Sequence, residues 1–140
     1  MKKIAIVYWS GTGNTETMAN EIATGAKESG AEVSLFTCAD FSADKVSDFD
    51  ALAFGCPSMG AEQLEETEFE PMFDAVERIL SGKLVALFGS YGWGDGQWMR
   101  DWQTRCNDAG INLVGEGLII NEAPDNDGIA QCQALGKSLA

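Results

Sequence analysis

The sequence contains no histidine, and none of its cysteines form a C-x-x-C pair. The four cysteines, Cys38, Cys56, Cys106 and Cys132, lie far apart along the chain. A zinc or copper site would therefore have almost no Cys or His ligands, so we expect no metal and four reduced, mostly buried thiols. The lack of histidine also removes the commonest general base at neutral pH. We expect the chemistry of this chain to belong to a bound group.

Basic residues are scarce as well. Nine Lys and Arg stand against 22 Asp and Glu, which gives a formal net charge of −13. This balance excludes nucleic acid and anionic membranes as partners, because both would be repelled. A protein with a basic docking face would be attracted, mainly through faster encounter. Acidity could equally serve solubility alone, and composition does not separate the two.

No apolar run approaches the roughly 20 residues that a membrane-spanning helix needs. The first apolar stretch, Ile4–Val7, is short and lacks the cleavage pattern of a secretion signal, so it indicates a strand in a cytoplasmic protein. A length of 140 residues predicts one domain, residues 1–140. A strand at the start and a helix at the finish favour a free-standing protein over a module of a larger enzyme.

Several apolar, β-branched-rich runs are continuous instead of alternating, which is typical of strands covered on both faces in a parallel sheet. We predict strands at Lys3–Trp9, Val33–Thr37, Ala51–Gly55, Leu84–Gly89 and Leu113–Ile120.

Segments with helical period separate these runs. Their apolar stripes are Met18, Ile22 and Ala26; Met72, Phe73, Val76, Ile79 and Leu80; Trp98, Trp102, Cys106 and Ala109; and Ile129, Cys132, Leu135 and Leu139. A weaker segment, Ala43–Ser47, is predicted as the fifth helix. Five β-α units predict a doubly wound α/β domain with helices on both faces, in which ligands bind beyond the carboxyl ends of the strands.

The loop after the first strand is rich in glycine and hydroxyl groups and leads directly into a helix. It reads Ser10, Gly11, Thr12, Gly13, Asn14 and Thr15. The glycines let the backbone wrap closely, and the helix start offers free N–H groups at a positive dipole end. The loop lacks the lysine of a nucleotide P-loop, so a single terminal phosphate suits it better than a triphosphate with magnesium. An ordinary helix cap would have the same residues.

Two further loops follow the third and fourth strands. The segment Met59–Glu62 reads as a four-residue turn with Gly60 at its second position, where a positive φ is required. An ordinary surface turn would look the same. In Ser90–Gly96, three glycines surround Trp93 and leave its indole little to pack against, which favours stacking on a flat ligand. Trp9, Trp98 and Trp102 are instead predicted to be core residues.

A phosphate loop and an exposed indole in one crevice describe a mononucleotide with a large planar base. At this point the sequence resembles the short-chain, clostridial-type flavodoxins over almost the whole chain. The resemblance is carried by the matching stretches Ile6–Thr15, Gly55–Gly60, Phe69–Pro71, Phe88–Gly96 and Asn121–Asp125. It implies a five-stranded parallel sheet of order 2-1-3-4-5 and a low-potential one-electron carrier, not an enzyme, that uses the semiquinone/hydroquinone couple of bound FMN.

The resemblance also implies residue roles. Ser10, Gly11, Thr12, Gly13, Asn14 and Thr15 would hold the phosphate, and Met59 and Trp93 would sandwich the isoalloxazine. Gly92, Trp93 and Gly94 would face its pyrimidine end, Glu62 would bond N3–H, and Ser58, Ser90, Tyr91 and Asn121 would complete the cofactor contacts. In the family the glycine at position 60 turns its carbonyl to the N5–H formed on one-electron reduction. Many members have Asp, Asn or Gly where this chain has Ala61, so Gly60, Ala61 and Glu62 are the expected redox-tuning residues.

The expected partners are redox proteins with basic docking faces, such as ferredoxin-type reductases and oxidoreductases. The chain itself is expected to be a monomer. The acidic run Glu62, Glu65, Glu66, Glu68 and Glu70 is predicted to border the flavin edge and to favour docking over a merely solvated surface. Two alternatives share the fold. An FMN-dependent NAD(P)H:quinone-type oxidoreductase would need a second substrate site, for which the chain has no spare length or basic residues. A phosphoacceptor signalling domain would need an acidic pair where Ser10 and Gly11 stand.

Overall fold

The computed structural model describes all 140 residues and has a parallel β-sheet at its centre. The strands are β1 (Lys3–Tyr8), β2 (Glu32–Thr37), β3 (Ala51–Gly55), β4 (Leu84–Tyr91), β5 (Asn112–Leu113) and β6 (Leu118–Asn121). Their order is β2-β1-β3-β4-β5, with β6 paired to β4 as well, and every pairing is parallel. The predicted doubly wound sheet of order 2-1-3-4-5 is confirmed.

Four α-helices cover the sheet. They are α1 (Asn14–Glu28), α2 (Phe69–Val76), α3 (Gln97–Asp108) and α4 (Asn126–Leu139). The sheet separates two apolar cores, because alternate side chains of each strand point to opposite faces. On β1, Ile4 and Ile6 pack with α1 and α4, whereas Ala5 and Val7 pack with α2 and α3. Both faces of the strand are therefore fully buried, which explains its unbroken apolar sequence.

Helices α1 and α4 touch backbone to backbone. A Cβ built on Gly25 would lie 2.0 Å from the Gln133 carbonyl oxygen, and one built on Gly136 would lie 2.0 Å from that of Ile22. No side chain fits at either position, so the two glycines set how closely the helices approach.

The predicted fifth helix is a 3₁₀ helix, Ala43–Asp48, and a shorter 3₁₀ turn, Cys38–Asp40, precedes it. A third 3₁₀ turn, Glu77–Ile79, continues α2, so the helical period changes there. The change turns Ile79 outward, and it is 45% exposed. The prediction that Ile79 belongs to the buried stripe was wrong.

The prediction of one continuous strand over Leu113–Ile120 was also wrong. Its chain leaves the sheet between β5 and β6, where Gly115 has a φ of 64° and the Gly117 N–H donates to the Gln103 side chain on α3. Both pieces pair with β4, so the sheet still ends where it was expected to end. None of the helices combines the length and the apolar character that a membrane-spanning segment requires.

Candidate cofactor site

The loop after β1 presents unpaired backbone donors. Gly13 has a φ of 96° and directly precedes α1, and the Ser10 hydroxyl oxygen accepts hydrogen bonds from the N–H groups of Gly13 (3.1 Å) and Glu16 (3.3 Å). The N–H groups of Thr12, Asn14 and Thr15 have no acceptor within the chain. These donors stand at the positive end of a 15-residue helix, which suits an anion held by neutral dipoles.

The Thr15 hydroxyl bonds within the chain. Its Oγ1 lies 3.2 Å from Ser90 Oγ and accepts the Ser90 N–H at 3.4 Å, and both residues are buried. The pair therefore ties the start of α1 to the end of β4.

The turn after β3 is longer than predicted. The predicted four-residue turn, Met59–Glu62, has two central residues. In the structure Met59 and Gln63 exchange two backbone hydrogen bonds of 2.9 Å, and the loop between them has three residues, Gly60, Ala61 and Glu62. Gly60 has the predicted positive φ, 53°, but Glu62 also lies in the left-handed region at 54°. A left-handed third residue is typical of three-residue hairpin loops.

Ser58 carries an unpaired polar atom. Its N–H donates to the Ser90 carbonyl oxygen at 3.1 Å, but its buried hydroxyl oxygen has no partner within the chain. A buried hydroxyl without a partner is costly, and such groups are usually satisfied by a ligand or water. Ser58 therefore has a donor and an acceptor to offer to a bound molecule.

One cavity of about 360 Å³ joins the three loops at the carboxyl edge of the sheet. Its lining consists of Trp9, Gly11, Thr12, Asn14, Pro57, Ser58, Met59, Ser90, Tyr91, Gly92 and Glu122. Trp9, Gly11 and Thr12 also border a neighbouring cavity of about 540 Å³ that includes Ser10 and Gly13. Of the predicted site residues, Thr15, Gly60, Ala61, Glu62, Trp93, Gly94 and Asn121 line neither cavity.

Three residues that line the first of these cavities, Trp9, Pro57 and Glu122, were missed by sequence reasoning. Trp9 was predicted to be in the core, but it is only half-buried and its Nε1–H donates to Glu68 Oε1 at 3.3 Å. Its position at the carboxyl end of β1, next to Ser10, is the signal that could have identified it. Glu122 has a φ of 57°, and its N–H donates to the Tyr91 carbonyl oxygen at 2.8 Å. Nothing in the sequence marks it except its place after β6.

The third loop has the predicted exposed indole. Trp93 is 59% exposed, whereas Trp98 and Trp102 are buried as predicted. Gly94 and Gly96 have φ values of 83° and 95°, which non-glycine residues rarely adopt. The loop thus leaves a large flat apolar surface uncovered beside Gly92, which lines the cavity.

The side chains of Glu62 and Asn121 form hydrogen bonds to backbone groups of the chain. Glu62 Oε1 accepts the Gln97 backbone N–H at 3.0 Å, and Asn121 Nδ2 donates to the Tyr91 carbonyl oxygen at 3.2 Å. The Asn121 amide and the Glu122 N–H therefore both fasten the end of β6 to the end of β4.

The acidic run is less free than predicted. Glu65 is only 7% exposed, and its carboxylate accepts hydrogen bonds from Thr67, Glu68 and Phe69 at the start of α2. Burial acts to raise the pKa of Glu65, but hydrogen bonds from the Thr67 hydroxyl and the three N–H groups outweigh it and lower the pKa to about 2. Glu70 pairs with Arg105 at 2.6 Å. Both carboxylates are therefore engaged within the chain, and the part that the run plays in docking stays a prediction.

The four cysteines are buried and unpaired, as expected. Burial raises the pKa of the Cys38 thiol to about 11 and that of Cys106 and Cys132 to about 12, and it raises the pKa of Cys56 as well. These thiols stay protonated at neutral pH and do not act as nucleophiles.

Known proteins resemble this chain closely. A family model described as Flavodoxin matches residues 6–136. The chain is 47% identical to a flavodoxin of Megasphaera elsdenii over 98% of both sequences, and 50% identical to one of Clostridium beijerinckii over 96% of this chain and 97% of the relative. The solution structure of two-electron reduced Megasphaera elsdenii flavodoxin superposes with a TM-score of 0.90 over 97% of each chain.

Proposed function

The chain belongs to the flavodoxin family, and we propose that residues 1–140 form a single FMN-binding domain that carries electrons one at a time between redox proteins. It is an electron-transfer flavoprotein and not an enzyme. The observation that carries the site assignment is the cavity shared by three loops, because it brings unpaired donors and a buried unpaired hydroxyl together.

The residues present fit FMN. The unpaired N–H groups of Thr12, Asn14 and Thr15 suit its phosphate without any basic side chain, and the unpaired hydroxyl of Ser58 suits a polar part of the cofactor. When bound, FMN supplies the one-electron chemistry, for which the chain has no group of its own.

We assign the site residues as the resemblance implies. The phosphate contacts are Ser10, Gly11, Thr12, Gly13, Asn14 and Thr15, and the ring and ribityl contacts are Ser58, Met59, Gly60, Ala61, Glu62, Ser90, Tyr91, Gly92, Trp93, Gly94 and Asn121. The side chains of Thr15, Ser90 and Asn121 also bond within the chain, where they hold the loops in place.

Charge supports a low working potential. The formal net charge is −13, and Arg100, the basic residue nearest in sequence to Trp93, is paired with Asp95 at 2.9 Å. A like charge about 10 Å away costs roughly 1.7 kcal/mol at an effective dielectric near 20. Several carboxylates, Glu62 among them, would therefore disfavour extra negative charge in the site and lower the potential of the second electron.

The protein acts with redox partners, and we propose that their docking faces are basic and that the carrier itself is a monomer. Ferredoxin-type reductases and oxidoreductases are the expected class. We also propose a cytoplasmic location, because four unpaired thiols suit a reducing compartment. The quinone-reductase alternative is not favoured, since both close relatives are flavodoxins.

The test is an anaerobic reductive titration of the protein loaded with FMN, followed by its visible spectrum. We expect two separate one-electron steps, the second at low potential, and no oxidation of NADPH by the protein alone. A protein that does not retain FMN, or that bleaches in one two-electron step, would refute the proposal.

A further inference from the structure

The Glu62 carboxylate joins two loops of the cofactor site. It projects from the 59–63 turn and accepts the N–H of Gln97, the first residue of α3, at 3.0 Å. This N–H is one of the donors that every helix leaves unpaired at its start, and the carboxylate meets the positive end of the helix dipole there. Gln97 directly follows the loop that carries Trp93. One hydrogen bond thus connects the turn after β3 to the loop after β4.

The space that the Glu62 carboxylate occupies depends on Gly94. A Cβ on Gly94 would lie 2.6–2.8 Å from the three carboxylate atoms of Glu62, closer than real Cβ contacts allow. Gly92, on the other side of Trp93, has no heavy atom within 4 Å of a Cβ built in the same way. The absence of a side chain at position 94 is therefore what leaves room for the carboxylate, and the crowding is specific to that position.

Glu62 holds an unfavourable backbone conformation to reach this space. Its φ of 54° lies in the left-handed region, which non-glycine residues rarely adopt because the backbone is strained there. The Met59–Gln63 pair fixes the ends of the turn, and the bond to Gln97 fixes the side chain. Glu62 Oε2 has no hydrogen-bond partner within the chain.

We propose that Glu62 is a positioning residue that clamps the 59–63 turn to the start of α3 and so sets the spacing of the two walls of the site before FMN binds. This inference rests on the proposed function. Oε1 holds the protein together, and Oε2 remains available to the cofactor. The clamp acts on the free protein, so it can be tested without the cofactor.

Two variants separate the hydrogen bond from the charge. Glu62→Gln keeps the side-chain length and an acceptor oxygen but removes the charge, whereas Glu62→Asp keeps the charge on a side chain one methylene shorter. In the FMN-free protein we expect the Gln97 amide to exchange its hydrogen about ten-fold faster in Glu62→Asp than in the wild type, and within about three-fold of the wild type in Glu62→Gln. Equal exchange in the wild type and Glu62→Asp would overturn the clamp.

The FMN-loaded proteins give the second readout. We expect FMN to dissociate about ten-fold faster from Glu62→Asp, and Glu62→Gln to keep slow dissociation while the midpoint potentials rise. Asp108→Asn, which removes an exposed carboxylate from the far end of α3, should change neither Gln97 exchange nor FMN dissociation. Rapid dissociation from Glu62→Gln but not from Glu62→Asp would assign the role to charge and overturn the clamp.

Urea unfolding of each variant shows whether the effect is local. We expect the urea midpoints of the variants to lie within the error of the wild-type midpoint, since only one exposed hydrogen bond is involved. If the protein binds no FMN at all, the proposed function fails, but the exchange experiment on the free protein still decides whether the clamp exists.

Discussion

At the scale of single residues, Ser58 differs from its neighbours because its hydroxyl is buried without a partner. We predict that Ser58→Ala weakens FMN binding about five-fold, the value of one hydrogen bond near 1 kcal/mol. The unfolding free energy of the FMN-free protein should stay the same or rise slightly, because no bond within the chain is lost. Calorimetric titration with FMN and urea unfolding measure the two quantities.

Ser90→Ala is the matched control. It removes the partner of Thr15 and should lower the stability of the free protein by about 1 kcal/mol. If Ser58→Ala left FMN affinity unchanged, Ser58 would not contact the cofactor.

Glu65 gives a prediction that depends on pH. Its pKa is lowered to about 2 in the folded chain, so its contribution to stability is complete above the unfolded pKa, near 4.3, and is lost as the pH falls towards 2. We predict that Glu65→Gln lowers the unfolding free energy by about 1–3 kcal/mol at pH 7. The difference from the wild type should shrink steadily below pH 4 in urea unfolding experiments.

The neighbouring Glu66 is exposed, so Glu66→Gln should shift stability by less than about 0.5 kcal/mol at any pH. A Glu65→Gln deficit that persisted unchanged at low pH would contradict the capping role.

At the scale of elements, the contact between α1 and α4 depends on glycine. A Cβ on Gly25 would meet the backbone of Gln133 at 2.0 Å, so the helices would have to move apart. We predict that Gly25→Ala destabilises the protein by about 1–3 kcal/mol, although alanine is the better helix former by about 1 kcal/mol. Urea unfolding measures the change.

Thr24→Ala is the control for helix propensity, because Thr24 precedes Gly25 in α1 and is exposed. It should be neutral or slightly stabilising. Equal stability of Gly25→Ala and the wild type would mean that the helix contact is not tight in solution.

Most elements could be predicted from the sequence because burial on both faces leaves a clear signal. Strand Ala51–Gly55 was predicted to the residue, since all five positions are buried. The break between β5 and β6 could not be predicted, because it depends on a hydrogen bond from Gly117 to Gln103 on another element. The exposure of Ile79 depends in the same way on a local change of helix type that periodicity does not reveal.

The candidate site shows the same division. The glycine-rich loops were found because glycine itself marks positions of positive φ, as at Gly60 and Gly94. The bonds of Glu62, Thr15 and Glu65 were not found, because a carboxylate or hydroxyl has many possible partners and only the folded chain selects one.

At the scale of the whole molecule, the net charge of −13 governs encounters. We predict that electron transfer from the reduced protein to a small basic haem protein slows at least about ten-fold between roughly 0.01 and 0.5 M salt, because screening removes the long-range attraction. Stopped-flow measurements follow the rate. The rate with an uncharged small-molecule oxidant should change little, and an equal salt effect on both would rule out steering.

The end of β4 holds the three loops of the site together. Ser90 bonds to Thr15 and to Ser58, and the Tyr91 carbonyl oxygen accepts from both Asn121 and Glu122. The segments anchored in this way to one central strand have few atoms free to rearrange when the charge of the site changes, so we expect rearrangement to be confined to the 59–63 turn. We expect the anchored segments to add little to the reorganisation energy of each electron transfer, since their dipoles already lie in place. We therefore expect the segments bonded to the end of β4 to favour rapid electron transfer.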